Sequence, residues 1–322
     1  MLSEAKRCVD VSIVMPVHNY CEKYLRESIL SVLNQDYTRF EFIIVTDRLS
    51  RSELMLLSEY KKYDNRIALI DSKHPGISNA LNEGVRFSSG KYIARMDCDD
   101  VLKSNRLSMQ ISFLDLNPKI EIVGSCADLI DENGNIIGFG NVPSQSNEIF
   151  FWAHLTNPFI HPSVVFRKDA FEKVCGYSKS VAFAQDYDLW SRFLTPTNAF
   201  NLKTSLLSYR IHKSATTQSR RKEQLRFHSK TSDAMISKST SNRFRSDAAM
   251  LRAVLVSTDF SPCNLSSLNL VSCGKELLAF LLLFFNCQGR HFALYCRFKI
   301  FASCYYRFIR FGLRHVHCIL VR

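Results

Sequence analysis

No G-x-G-x-x-G motif follows any strand-like run of this 322-residue chain, and no G-x-x-x-x-G-K-[ST] occurs in it. Each of those motifs wraps glycine-rich backbone around phosphates at the start of a helix. Their absence disfavours a dinucleotide dehydrogenase and a P-loop enzyme. There is no C-x-x-C pair either, although the chain has eleven cysteines. An odd number of scattered cysteines in a chain this long makes no disulfide framework. Reduced, mostly buried thiols in a cytoplasmic protein are the expectation. Met1–Tyr20 lacks the continuous apolar stretch of a secretory signal. The longest uncharged stretch near the C-terminus, Leu277–Gly289, is too short for an ordinary membrane-spanning helix.

Acidic residues become scarce only in the last third. Residues 1–202 carry 22 Lys+Arg against 25 Asp+Glu, a balance of −3. Residues 203–322 carry 20 against 5, a balance of +15, which accounts for the overall charge of +12. This is a near-neutral body with a basic appendage, not a uniformly basic nucleic-acid coat. Apolar residues make up 46% of the chain, enough for a substantial core.

The first half alternates strand-like and helix-like runs. Val11–Pro16, Glu41–Thr46, Ile67–Ile70 and Tyr92–Met96 read as short buried strands, and Ile120–Ser125 as a further apolar run. Between them, Tyr24–Leu33, Ser52–Lys62, Ser78–Phe87 and Asn105–Leu116 carry helical apolar spacing, with Ser50 or Ser52 capping the second. This α/β pattern predicts a parallel sheet with helices on both faces. Ligands of such sheets bind beyond the carboxyl ends of the strands. His18 and Asn19 follow the first strand, Asp47 the second, and Asp97, Asp99 and Asp100 the fourth. All are expected to converge on one edge.

The run Asp97-Cys98-Asp99-Asp100 is the most informative. If strand geometry continues through Asp97, then Asp97 and Asp99 face the same side. Paired carboxylates at the ligand edge suit a hard cation, Mg²⁺ or Mn²⁺, that bridges diphosphate oxygens. An acidic turn capping a helix would have the same sequence.

These residues also carry a resemblance. Val11–Tyr37 (VSIVMPVHNYCEKYLRESILSVLNQDY) resembles the opening of family 2 glycosyltransferases, inverting enzymes that use nucleotide sugars. Gly76–Asp100, His161–Tyr177, Gln185–Phe193 and Tyr209–His212 resemble further motifs of that family, in the same order, over about residues 10–215. The resemblance implies a GT-A fold in residues 1–215, with a nucleotide-binding half over about 1–115 and an acceptor half over 116–215. Residues 216–322 would form a basic helical extension. Pro16, His18 and Asn19 fall where the family contacts the nucleotide base, and Asp47 where a carboxylate recognises uracil. Asp97 matches the position near the ribose, Asp99 the metal ligand and Asp186 the catalytic base. His212 stands where some members add a histidine near the metal or diphosphate.

The chain departs from the family pattern in the loop Thr46–Ser50, where one Asp replaces an acidic pair and a Gly-Ser turn. His18 stands for a common Tyr, Gln185 for Glu, and Cys98 for a small residue. No essential group is lost, so an active enzyme is expected. It would move a sugar, a hexose by family habit, from a UDP-linked donor to a hydroxyl on a saccharide or lipid-linked saccharide of a surface polysaccharide. Other readings of single residues stand beside this. Asp186 could be a helix N-cap, since Tyr187–Phe193 reads as a helix. Trp190 could line the acceptor groove or sit in the core. His161 could be a turn residue or part of the site, and Asp188 reads as structural.

In the tail, Lys213–Ser246 reads as exposed helix and loop. Phe298, Phe301, Tyr305 and Phe308 share one helical face, with Lys299, Arg307, Arg310 and Arg314 mainly on the other. A basic helix with an aromatic face suits an anionic membrane surface, here the cytoplasmic face of an inner membrane. The alternative is that the aromatics pack on the catalytic domain. Two other classes compete with the enzyme reading. A metal-dependent nucleotidyltransferase also uses paired Asp but normally carries a basic Gly-rich phosphate loop, which is absent. A nucleic-acid-binding protein could use the tail, but the near-neutral body argues against it, so no nucleic-acid partner is expected. Deleting everything after about residue 265 is expected to abolish flotation with anionic vesicles. Unchanged flotation would deny the tail that role.

Overall fold

Alternate residues of a strand face opposite sides of its sheet, and the first strand divides its side chains accordingly. The computed structural model describes residues 9–212 and 221–237. Contacts divide the chain into Met1–Leu268 and Asn269–Arg322, and every described residue belongs to the first unit. Strand β1 is Val11–Val17, followed by α1 (Glu22–Leu33), β2 (Phe40–Thr46), α2 (Arg51–Tyr63), β3 (Ile67–Asp71), α3 (Ile77–Phe87) and β4 (Tyr92–Arg95). These strands lie in the order β3-β2-β1-β4, all parallel, with Val11 opposite Phe40 and Tyr92. Val11, Ile13, Met15 and Val17 pack with Leu25, Ile29 and Val32 of α1 and Leu57 of α2. Val14 turns the other way, onto Ala80, Leu81 and Val85 of α3.

Local chemistry agrees with these elements. Ser50 and Glu53 form a capping box at the start of α2: Ser50 Oγ accepts from the Glu53 N–H, and Glu53 Oε2 accepts from the Ser50 N–H at 2.7 Å. Pro16 lies past the last residue of β1 that pairs with β4, Val14 opposite Arg95. Val14 O accepts from the Met96 N–H on that side. Two residues on, Pro16 faces the same edge where no ladder remains, so its missing donor is not needed.

The second half departs from the purely parallel sheet that the alternation predicted. It contains β5 (Val101–Leu102), α4 (Arg106–Leu116), β6 (Ile122–Ile130), β7 (Ile136–Gly140) and α5 (Ser146–Ala153). A 3₁₀ turn at His161–Ser163 leads to β8 (Val165–Arg167), α6 (Lys168–Lys173), α7 (Gln185–Phe193) and β9 (Ala199–Arg210). The sheet continues as β4-β8-β6-β9-β5, with β7 on β6. β8 runs antiparallel to β4 and β6, and β9 runs parallel to β6. The run Ile120–Ser125 is therefore the start of a longer, mixed-sheet strand. Its short partner β8 reaches β4 without a crossover helix, which no apolar period in the sequence announced.

After residues 213–220 comes α8 (Arg221–Ser237). The basic stretch expected to be exposed here is only half so. Met235 and Ile236 are buried, Ser232 Oγ donates to the His154 carbonyl at 2.5 Å, and the His228 ring lies 5.0 Å from that of Tyr187. No described helix is long and apolar enough to cross a membrane. The aromatic and basic pattern of residues 298–314 lies outside the described residues.

Gly90, between α3 and β4, is pressed against the start of β1. A Cβ there would meet Ser12 N at 2.7 Å and the Val11 carbonyl carbon at 2.8 Å, both backbone atoms. Gly90→Ala is expected to cost about 1–3 kcal/mol, the usual range for overpacking. Urea denaturation checks this, and an unchanged midpoint would contradict the close approach.

Candidate active site

Three strand ends meet where the parallel half leaves its sheet. Just beyond β1, Asn19 has a left-handed backbone, and His18 Nδ1 bonds to the Asp47 carbonyl oxygen at 2.9 Å. Asp47 follows β2 and is only 4% exposed. Its Oδ2 accepts from the Gly76 N–H at the entry of α3, at 2.8 Å, and its Oδ1 accepts from Arg48 Nε at 3.1 Å. Gly76 has φ +104°, which selects glycine although nothing lies within 4 Å of a Cβ there. A carboxylate has about four acceptor positions. Two bonds leave Asp47 able to take another N–H. Pro16, half-buried in β1, lies beneath this corner.

The carboxylate cluster forms by a turn, not by strand alternation. β4 ends at Arg95, so the expected extension of strand geometry through Asp97 does not occur. The turn nevertheless brings carboxylate oxygens of Asp97, Asp99 and Asp100 within 4.8 Å of one another. Asp97 pairs with the buried guanidinium of Arg95, and Ser28 Oγ donates to the Asp97 carbonyl at 3.0 Å. Burial raises the Asp97 carboxyl above its usual range. Arg95 opposes this, while Asp99 and then Asp186 add to it. Asp100 is 1% exposed, and burial, then Asp99 and Asp97, push its carboxyl well above the ordinary range. Its Oδ1 accepts from the Arg210 N–H at 2.8 Å, but its Oδ2 is buried with no partner. His212 Nε2 lies 2.9 Å from Asp99 Oδ2. Three crowded carboxylates, one with an unpartnered buried oxygen, fit a hard, oxygen-seeking divalent cation.

Helix α7 carries the next candidate residue, Asp186. Ala184, in a left-handed conformation, caps this helix, so Asp186 is not its N-cap but its second residue. Asp186 is 9% exposed, and Asn157 Nδ2 donates to its Oδ2 at 2.6 Å. Its charge adds to what raises the Asp97 carboxyl and the Tyr177 hydroxyl. Asp188 is turned away and pairs with Arg192 at 2.8 Å.

His161 and Trp190 lie under the site. His161 Nε2 bonds to the Tyr177 hydroxyl at 2.8 Å, and burial, then Arg95, lowers the imidazole well below its usual range. Tyr177 is in turn held by paired backbone bonds to the Asn82 side chain. Trp190 is 0% exposed, edge-on to Phe159, His161 and Phe193. A side chain with no accessible surface cannot line a groove, so the groove role for Trp190 is corrected to a core aromatic. His161 is likewise buried, at 8% exposure, and braces the floor.

Sequence reasoning missed Arg95, Asn157, Tyr177, Arg210 and His228. Two of them left a signal. Arg95 is the one charge inside the buried run of β4, and buried charges are almost always paired. Arg210 similarly ends the buried last stretch of β9. Asn157 and Tyr177 lie in loops with no periodicity to expose them.

The sequence profile of Glycosyl transferase family 2 matches residues 12–175. An uncharacterized glycosyltransferase of Methanocaldococcus jannaschii is 36% identical over 221 residues, 66% of this chain and 75% of that one. The O-antigen biosynthesis glycosyltransferase WbnJ of Escherichia coli is 38% identical over 213 residues, 65% of this chain and 82% of that one. Among solved structures, S. aureus TarS 1–349 in complex with UDP-GlcNAc superposes with a TM-score of 0.57 at 15% identity, over 86% of this chain and 80% of that one. A mannosyltransferase of Pyrobaculum calidifontis in complex with GDP-Man and Mn²⁺ gives a TM-score of 0.55 at 14% identity, over 85% and 81%. These likenesses establish the GT-A fold. With its strand-end carboxylates and its matching profile, the chain belongs to glycosyl transferase family 2.

Proposed function

We propose that the protein transfers a hexosyl group from a UDP-linked sugar to a hydroxyl of a lipid-linked saccharide, in the synthesis of a surface polysaccharide. The observation that carries this reading is the carboxylate turn Asp97–Asp100 at the strand ends, with the recessed carboxylate of Asp186 near enough for its charge to act on Asp97. The names of WbnJ, an O-antigen enzyme, and of TarS with UDP-GlcNAc support the class of product and donor.

In this reading Asp186 accepts the proton of the acceptor hydroxyl as that oxygen attacks the anomeric carbon. The bond from that carbon to the diphosphate oxygen breaks, and its electron pair leaves with the nucleoside diphosphate. Attack from the face opposite the leaving group inverts the anomeric configuration. The Asn157 amide, 2.6 Å from Asp186 Oδ2, holds the carboxylate toward the acceptor. Asp47 accepts from the uracil N–H, His18 and Asn19 flank the base beside Pro16, and Asp97 borders the ribose. Asp99 would hold Mn²⁺ or Mg²⁺, with His212 beside it. Such a cation supplies positive charge for the diphosphate oxygens. The basic residues beyond 237 would keep the enzyme at the cytoplasmic face of a membrane that carries its acceptor.

Asp186→Asn should bind nucleotide sugar nearly as the wild type does, while transfer falls by roughly 10²–10⁴, the usual share of general-base help. Nucleotide release, with lipid extract as acceptor source, measures this. Undiminished transfer would remove Asp186 as the base. Release of pyrophosphate in place of nucleoside diphosphate would replace the reading with nucleotidyl transfer.

A further inference from the structure

Arg210, the last residue of β9, makes more contacts with the carboxylate turn than any role in strand pairing requires. Its guanidinium is buried to within 1% of full enclosure, and each of its three nitrogens is engaged. Nε donates to the Asp99 carbonyl at 2.9 Å. Nη1 donates to the Asp131 carbonyl at 3.1 Å and, at longer range, to that of Glu132 at 3.4 Å. Nη2 pairs with Glu27 Oε2 of α1 at 2.5 Å. The guanidinium lies 4.3 Å over the Tyr24 ring, and the Arg210 backbone N–H holds Asp100 Oδ1.

These contacts have an unusual distribution. The cation does not meet the Asp99 carboxylate, which is left to His212 two residues on. It grips the backbone carbonyl of the same residue, and its charge is answered by Glu27 outside the cluster. Arg210 and His212 therefore hold Asp99 by different groups, one by its backbone and one by its carboxylate. Three segments distant in sequence meet at one planar group: α1, the turn after β4, and the turn between β6 and β7. Only the fork of an arginine reaches all three. A lysine ammonium offers one point charge and no plane for Tyr24.

We infer that Arg210 is the positioning residue of the cation site, holding the Asp99–Asp100 turn in its ligating shape through Asp99 O and Asp100 Oδ1. The inference rests on the cation reading above. Loss of such outer support typically lowers metal affinity about 10–100-fold. A residue serving stability alone would change unfolding and leave the affinity of folded protein untouched.

The test is titration of the full chain with Mn²⁺, without nucleotide, followed by electron paramagnetic resonance of the free ion. Arg210→Lys should weaken Mn²⁺ binding by about 10–100-fold, and excess Mn²⁺ should restore most of its nucleotide release. Glu27→Gln, on a half-exposed helix face, removes only the ionic anchor. It should weaken binding in the same direction by a smaller factor, and it serves if Arg210→Lys does not fold. Wild-type affinity in either folded variant overturns the role of Arg210. A wild-type chain that takes up no Mn²⁺ overturns the cation reading, and the positioning role with it.

Discussion

Three carboxylates within 4.8 Å of one another at the mouth of a buried strand repel, and the structure around them is arranged to hold that repulsion in place. Arg95 meets Asp97 from below. Arg106 lies one layer deeper, donating to the Arg95 carbonyl at 3.0 Å, so that the strand carrying the first cation is itself pinned. Arg210 grips the backbone of the turn, and His212 bonds to the Asp99 carboxylate. Buried ion pairs add little to net stability, because desolvation offsets their attraction. Their use here is geometric. They keep ionisable groups crowded where an unconstrained chain would separate them, and Asp100 Oδ2 is left buried without a partner.

That constraint divides the labour of the fold. The parallel half supplies groups at the ends of β1, β2 and β4, rigid positions from which His18, Asp47 and the turn after Arg95 project. The mixed half returns antiparallel through β8 and brings Asn157, His161 and Tyr177 beneath the same edge. Helix α7 then carries Asp186 in its first turn, its entry set by the left-handed Ala184. Helices α7 and α8, both beyond the residues that match the family profile, pack together and place His228 beside Tyr187, the neighbour of Asp186.

Much of this was legible in the residues. The apolar runs of β1 to β4 and the spacing of α1 to α4 predict the parallel half closely, because two-sided burial and a helical stripe each leave a period. Ser50 and Glu53 announce the start of α2 by cap chemistry. The convergence of His18, Asp47 and Asp97 follows from strand ends alone. The mixed half left less trace: β8 has three residues, too few for a period, and its direction depends on a loop. The shape of the Asp97–Asp100 turn left no trace, because ladder bonding ends at the Met96 N–H and strand alternation stops with it. Trp190 could not be placed, since an aromatic on an amphipathic helix looks alike whether it faces core or groove.

In the proposed function the carboxylate turn receives a nucleoside diphosphate through a bound cation. Calorimetric titration of the full chain with UDP, with and without Mn²⁺, tests this most directly, with Asp99→Asn alongside. The prediction is binding with Mn²⁺ that is lost when the ion is omitted and lost in the variant. Equal affinity with and without the ion, retained in Asp99→Asn, would contradict it.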